Sequence, residues 1–232
     1  MSETDRIREA YARRTAANRE RLYEFLDPSV YLAVQEKERA LVRWISTCGI
    51  APLGRRRVFE VGCGSGDDLV QFIRLGFRPE HLVGCELLTE RAEEARRRLP
   101  EGTTILCGDA TEMEPPGGPF DVVMHSTVFT SILDDAFQRR LADRMWELTR
   151  SGGGVLWYDF AFDNPRNRDV RGVPLSRVRE LFPHAAGPLR SWRLTLAPPI
   201  GRPLARLHPR AYSTANLVAW LRVARLCWIA KA

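Results

Sequence analysis

Arg57-Val58-Phe59-Glu60-Val61-Gly62-Cys63-Gly64-Ser65-Gly66-Asp67-Asp68 decides the fold. A short buried strand over 57–61 runs into a loop with glycine at every second position. A helical pattern over Asp67–Leu75 follows. Glycine at 62, 64 and 66 permits a tight turn and a close approach of the backbone to a ligand, with no Cβ in the way. The start of the next helix offers N–H groups that have no partner inside it. A loop of this kind suits nucleotide-like ligands in general.

Outward from the loop, strands and helices alternate. Leu82–Glu86, 103–107, Phe120–Met124 and 155–159 read as further strands. Helical patterns separate them, one opening at Thr89 as N-cap and one over 134–149. The runs 115–119 and 151–154 read as turns. This alternation predicts an α/β fold with a mostly parallel sheet covered on both faces. Ahead of it, residues 4–24 read as one or two amphipathic helices, and 30–47 as another with a buried stripe. Behind it, a proline-punctuated stretch holds candidate strands at 190–196 and 226–230 and a short helix near 214–223. The expected organisation is a helical cap over 1–48 and one α/β domain over 49–232.

The ligand is narrowed by acids. A dinucleotide fingerprint wants glycine at 67, where Asp67 stands. Asp67 and Asp68 at the helix N-terminus would repel a pyrophosphate, but not a ligand carrying an ammonium and a sulfonium. Glu86 ends the second strand, where a carboxylate can accept from both hydroxyls of a ribose. Asp109 follows the third, where it can accept from an adenine amino group. Singly, each acid also reads as a turn or cap residue. Together they follow three successive strands, at the edge where such sheets bind ligands.

FEVGCGSGDD, VGCELLTERAEEARRRLP, CGDATEM, FDVVMHSTVFTSI and SGGGVLWYDF, in this order, resemble the successive motifs of class I S-adenosylmethionine-dependent methyltransferases over roughly residues 55–160. The resemblance implies a Rossmann-like, doubly wound seven-stranded sheet whose last strand is antiparallel, with S-adenosylmethionine (SAM) as cofactor. It implies that Glu60, Gly62, Cys63, Gly64 and Gly66 line the methionine part. Glu86 and Leu87 would lie at the ribose, Asp109 and Ala110 at the adenine, and His125 and Ser126 beside the bound cofactor. YDFAFDNPRNRDVRGV, RVRELFP and TLAPPI resemble a subgroup of bacterial small-molecule and natural-product enzymes.

Methyl transfer is an in-line displacement that needs the acceptor atom aligned. A hydroxyl acceptor also needs a base. His125, at the end of the fourth strand, is the first candidate, and a residue packing on the cofactor is its plainer reading. Asp159 and Tyr158 follow; the one reads equally as a loop anchor, the other as a pocket wall. Tyr11, Tyr23 and Tyr31 are candidate roof residues over an acceptor, or helix packing. Arg166, Arg168 and Arg171 would hold an anionic acceptor, or brace their own loop.

Composition bounds the rest. A hydrophobic fraction of 44% and a charged fraction of 28% are those of a globular protein. No apolar run is long enough to span a membrane, the first residues lack a secretory pattern, and the cytoplasm is the expected compartment. The five cysteines and four histidines show no metal-ligand spacing. The basic charge is concentrated behind residue 163: residues 164–232 hold thirteen basic residues against Asp169 and Glu180. Such a third fits an acidic acceptor, an anionic surface or simply solvent. The reading is O-methylation of a hydroxyl on a small natural product or sugar. No nucleic acid is expected as partner, and a homodimer is compatible. The competing readings are methylation of RNA or protein, a cofactor-binding subunit without turnover, and a nicotinamide oxidoreductase, which Asp67 disfavours. Apolar residues over 216–229 read as packing on the sheet, or as contact with a membrane or lipid-linked acceptor.

Overall fold

The structure, a computed structural model, describes residues 2–16, 24–165 and 167–232. Two helices precede the sheet: α1 (Glu3–Ala16) and α2 (Pro28–Cys48). Asp27 caps α2 by accepting from the Ser29 N–H, Pro28 starts it, and Gly49 ends it in the left-handed region. The repeating part then runs β1 (Val58–Val61), α3 (Asp67–Leu75), β2 (Leu82–Glu86), α4 (Thr89–Arg98), β3 (Thr104–Cys107), β4 (Phe120–Ser126), α5 (Asp135–Leu148) and β5 (Thr149–Phe160). The chain closes with α6 (Leu175–Leu181), β6 (Arg190–Leu196), α7 (Pro198–Leu207), α8 (Pro209–Ala215) and β7 (Arg222–Ala230).

The seven strands form one sheet in the order β3-β2-β1-β4-β5-β7-β6. Strands β3 to β5 are mutually parallel, and β7 runs antiparallel between β5 and β6. This is the expected doubly wound sheet with its last strand reversed. Strand order changes direction between β1 and β4, which opens a crevice at the carboxyl ends of the strands.

Strand alternation sends side chains to two cores. Val58, Val122, Met124 and Leu156 pack with Leu41, Trp44, Leu69 and Phe72 from α2 and α3. Phe59, Val61, Val123, Val155 and Trp157 pack with Leu141, Met145 and Val178 from α5 and α6. The carboxyl half of α2 therefore belongs to the sheet's own core, through the fully buried Trp44 against Phe72 and Trp228.

Three local expectations differ. Strand β5 begins at Thr149, so the glycine run 152–154 lies within the strand. There, a Cβ on Gly153 would sit 2.6 Å from the Asp121 carbonyl oxygen, and one on Gly154 would meet the Trp228 ring. Helix α4 has Thr89 as its first helical residue and Leu88 as its N-cap, with no side-chain cap. The helix expected near 214–223 is instead the end of α8, a short turn over Ala219–Leu221 and the start of β7. Arg222 closes that turn by donating to the Asn216 carbonyl oxygen. Prolines start α7 and α8, and their fixed φ suits that first position. No helix among the described residues is long and apolar enough to cross a membrane.

Replacing Trp44 with alanine leaves a cavity between α2 and the sheet. We expect a loss of about 3–5 kcal/mol in denaturant unfolding, the range for a large aromatic removed from a core. A loss below ~1 kcal/mol would show that α2 does not depend on this contact.

Candidate active site

At the carboxyl ends of β1, β2, β4 and β5 lies a cavity of about 760 Å³. Its floor is the glycine loop. Gly62 has φ +66°, and a Cβ there would lie 2.6 Å from Val128 Cγ2. Gly66 has φ +84°, and a Cβ there would lie 2.9 Å from Leu99 Cδ1. Both sites require glycine twice over, by backbone conformation and by space.

Three carboxylates stand along this edge and line the cavity: Glu60, Glu86 and Asp109. Glu86 accepts from the Gly64 N–H at 2.8 Å and from the Leu88 N–H at 2.9 Å, which ties the loop after β1 to the end of β2. Asp109 accepts through Oδ1 from the N–H and hydroxyl of Thr111, as a turn residue does. Glu60 is 1% exposed, and its Oε2 has no partner among the described residues. Burial first, and then the nearby Asp68 carboxylate, push its carboxyl well above the usual range. A buried acid without a donor at a cavity wall is a site for a cationic ligand.

The other half of the cavity is polar in a way the sequence reading missed. Lys37 of α2 donates to both oxygens of Asp68 at 2.6 Å and to Ser126 Oγ at 2.8 Å. Its ammonium also lies 4.5 Å from the centre of the Tyr158 ring. Burial pulls the Lys37 pKa down most strongly of any one cause, but Asp68, Tyr158 and Glu60 together outweigh it and the net shift is upward. Tyr158 Oη lies 3.1 Å from Thr195 Oγ1. The buried Glu36 accepts from the Thr195 N–H at 3.0 Å and from the Tyr212 hydroxyl at 3.2 Å. Thr127 and Thr195, both on the cavity wall, hold φ of 57° and 61°. A β-branched residue in this region costs about 1–2 kcal/mol, so the surrounding contacts hold the wall in a strained form.

The structure brings Glu60, Gly62, Cys63, Gly64, Glu86, Leu87, Asp109, Ala110, Ser126, Tyr158 and Tyr11 to this one cavity. Tyr11 lies between the guanidinium groups of Arg14 and Arg91. Gly66 stands behind the loop, outside the lining, as the N-cap of α3.

His125 does not reach the cavity. Alternation along β4 turns it, with Val123, to the face that packs on α5. There it is fully buried against Phe129 and Trp157. Neither ring nitrogen has a hydrogen-bond partner among the described residues, and burial lowers its pKa to about 3. Asp159 points to the same face and accepts from the Thr130 N–H at 3.1 Å, so it anchors the turn after β4. Burial raises its pKa to about 6. Neither residue lies where it could take a proton from an acceptor in the cavity.

Tyr31 is half-exposed and meets the cavity-lining Phe25 edge to face at 5.3 Å, without lining the cavity itself. Arg168 is exposed. Arg171 pairs with Asp135 and braces its loop against α5, and neither lines the cavity. Tyr23 and Arg166 lie outside the described residues. The repulsion argument also changes: Asp67 pairs with Arg98 at 2.7 Å and Asp68 with Lys37.

Residues 58–153 match the family described as a methyltransferase domain. The chain is 32% identical over 127 residues to malonyl-[acyl-carrier protein] O-methyltransferase of Bacteroides fragilis, covering 54% of this chain and 25% of the relative. It is 28% identical over 162 residues to fatty-acid O-methyltransferase of Mycolicibacterium smegmatis, covering 66% and 58%. It thus spans about half or less of the length of the curated relatives it matches. Magnesium protoporphyrin IX methyltransferase from Synechocystis PCC 6803, solved with bound SAM, shares the fold at a TM-score of 0.67. That match has 14% identity and covers 100% of this chain and 98% of that one.

Glu60 carries a pH signature. Its folded pKa is raised, so the native state keeps a proton that the unfolded chain has released. Stability therefore falls as pH rises above the ordinary glutamate pKa of about 4.3. We expect Glu60→Gln to raise the melting temperature of the ligand-free protein at neutral pH, with the gain vanishing below about pH 4. A Glu60→Gln protein less stable at neutral pH would show that Glu60 is already paired.

Proposed function

We propose, from the match of residues 58–153 to the family described as a methyltransferase domain, that this chain binds SAM and passes its methyl group to a small-molecule acceptor. The observation that carries this reading is the row of Glu60, Glu86 and Asp109 along the edge of three neighbouring strands, all lining one cavity. In the proposed complex the α-ammonium of SAM supplies the partner Glu60 lacks. Glu86, already fixed by Gly64 and Leu88, accepts from the ribose hydroxyls with its remaining lone pairs. Asp109 and Ala110 receive the adenine.

SAM supplies a methyl on a good leaving group; the protein's own residues align the acceptor. Residues 1–48 serve as the cap, with Tyr11 and Lys37 above the cofactor. Tyr158, Thr195 and Tyr212 present hydroxyls on the acceptor side. This hydroxyl-rich wall supports an oxygen acceptor on a small natural product or sugar, and the two curated relatives are named for O-methylation. His125 has no part in proton transfer in this scheme; with Asp159 it supports the turn over 127–131.

Calorimetry should show SAM binding and no binding of NAD. Glu86→Ala should weaken SAM binding about tenfold to a hundredfold, the worth of one or two hydrogen bonds to a charged group. Binding of NAD in place of SAM would overturn the reading. An unchanged affinity in Glu86→Ala would remove Glu86 from the ribose site.

A further inference from the structure

The cap has a surface that catalysis does not explain. Eight large hydrophobic side chains are exposed among the described residues. Six of them, Phe25, Leu26, Tyr31, Leu207, Leu217 and Trp220, lie on one lobe. That lobe is built from the entry to α2, from α7 and α8, and from the turn before β7. It is held together by its own small core, in which Leu32 packs with Leu196, Ala205, Tyr212, Ala215 and Leu221. Arg206 reaches Asp27 at 3.3 Å, which joins the segment carrying Leu207 to the segment carrying Phe25 and Leu26. Leu26 is 91% exposed and Trp220 74%.

The charge of the lobe is mainly basic, with Glu24 and Asp27 at the entry to α2 as its acids. Residues 181–232 contain no aspartate or glutamate, while Arg202, Arg206 and Arg210 lie along α7 and α8. Isolated exposed hydrophobics are ordinary. Leucine, phenylalanine and tryptophan gathered on a lobe whose charges are mainly arginines form the pattern that enters the headgroup region of an anionic bilayer. The lobe also borders the cavity: Phe25, Pro198, Gly201 and Arg202 are lining residues.

We propose that this lobe docks on an anionic lipid surface, so that an amphiphilic acceptor passes from the bilayer into the cavity without crossing water. The apolar side chains enter the interface, and the arginines meet the lipid phosphates. Docking stands independently of methyl transfer; the route of the acceptor rests on the function proposed above.

The test is co-sedimentation of the full chain with vesicles. One set contains equal parts phosphatidylglycerol and phosphatidylcholine, the other phosphatidylcholine alone. Poly-glutamate in solution serves as an acidic competitor without an apolar phase. We expect binding to the anionic vesicles, little to phosphatidylcholine, and a fall with added salt. A Leu217→Glu, Trp220→Glu double variant should lose about tenfold or more in vesicle partitioning, and Arg210→Glu should lose less. All three positions lie outside the cavity lining, so SAM binding by calorimetry should stay at the level of the unaltered protein and report an intact fold. Absence of binding to anionic vesicles, or equal binding by the double variant, would overturn the proposal. So would poly-glutamate that is bound as tightly as the vesicles, because charge alone would then account for the association. Vesicle binding without any SAM binding would leave docking standing and refute the methyl-transfer reading.

Discussion

The Glu86 carboxylate fixes the geometry on which the cavity depends. One oxygen accepts from Gly64 and the other from Leu88, so a single side chain holds the loop after β1 and the turn after β2 in one relation. Each bond to a charged group in a buried place such as this is worth more than a neutral one, about 1.5–3 kcal/mol. Around that grip, Ser65 Oγ donates to Glu94 of α4 at 2.6 Å and the Cys63 N–H donates to the Cys85 carbonyl oxygen at 3.0 Å, so the loop is held against β2 and α4 as one defined surface. Glu86 also keeps lone pairs for a ligand, so architecture and recognition share one residue.

Across the cavity, Lys37 does the corresponding work for the cap. It binds Asp68 on α3, Ser126 at the end of β4 and the ring of Tyr158 on β5. A buried ion pair gives little net stability against an apolar substitute, but it is costly to break on one side. Its value here is positional. It sets the distance between α2 and the strand ends, and hence the space left for an acceptor. Glu60, a few residues before Asp68, is left without a donor. The ammonium is thus drawn to one acid, and the neighbouring acid is left without a donor at the cavity lining.

The sheet was legible because its signals are local and strong. Glycines 62, 64 and 66, the acids at 86 and 109 and the alternation of apolar runs all lie within residues 55–160; the alternation predicts a mostly parallel sheet, and the resemblance to a known family adds the seven strands with the last one reversed. What sequence reading missed was parity and distance. His125 and Asp159 stand at the right height in their strands, but alternation turns both to the far face, in step with Val123 and Trp157. Tyr158, one residue from Asp159, therefore faces the cavity instead. That signal was present in the period-two pattern. Lys37 was also detectable, as a lysine in step with Val30, Val34 and Leu41 on the buried stripe of a helix. Its partner Asp68 lies 31 residues away, and nothing local announces it. Glu36, Thr195 and Tyr212 meet across 159 and 176 positions, and only the fold brings them together. The prolines at 198 and 209 read as breaks, though each starts a helix.

The most direct test of this account is a crystal structure of the protein with S-adenosylhomocysteine. The account predicts its amino group within hydrogen-bond distance of the Glu60 carboxylate, its ribose hydroxyls on Glu86 and its adenine beside Asp109. A ligand lying elsewhere, or one whose amino group leaves Glu60 unpartnered, would contradict it.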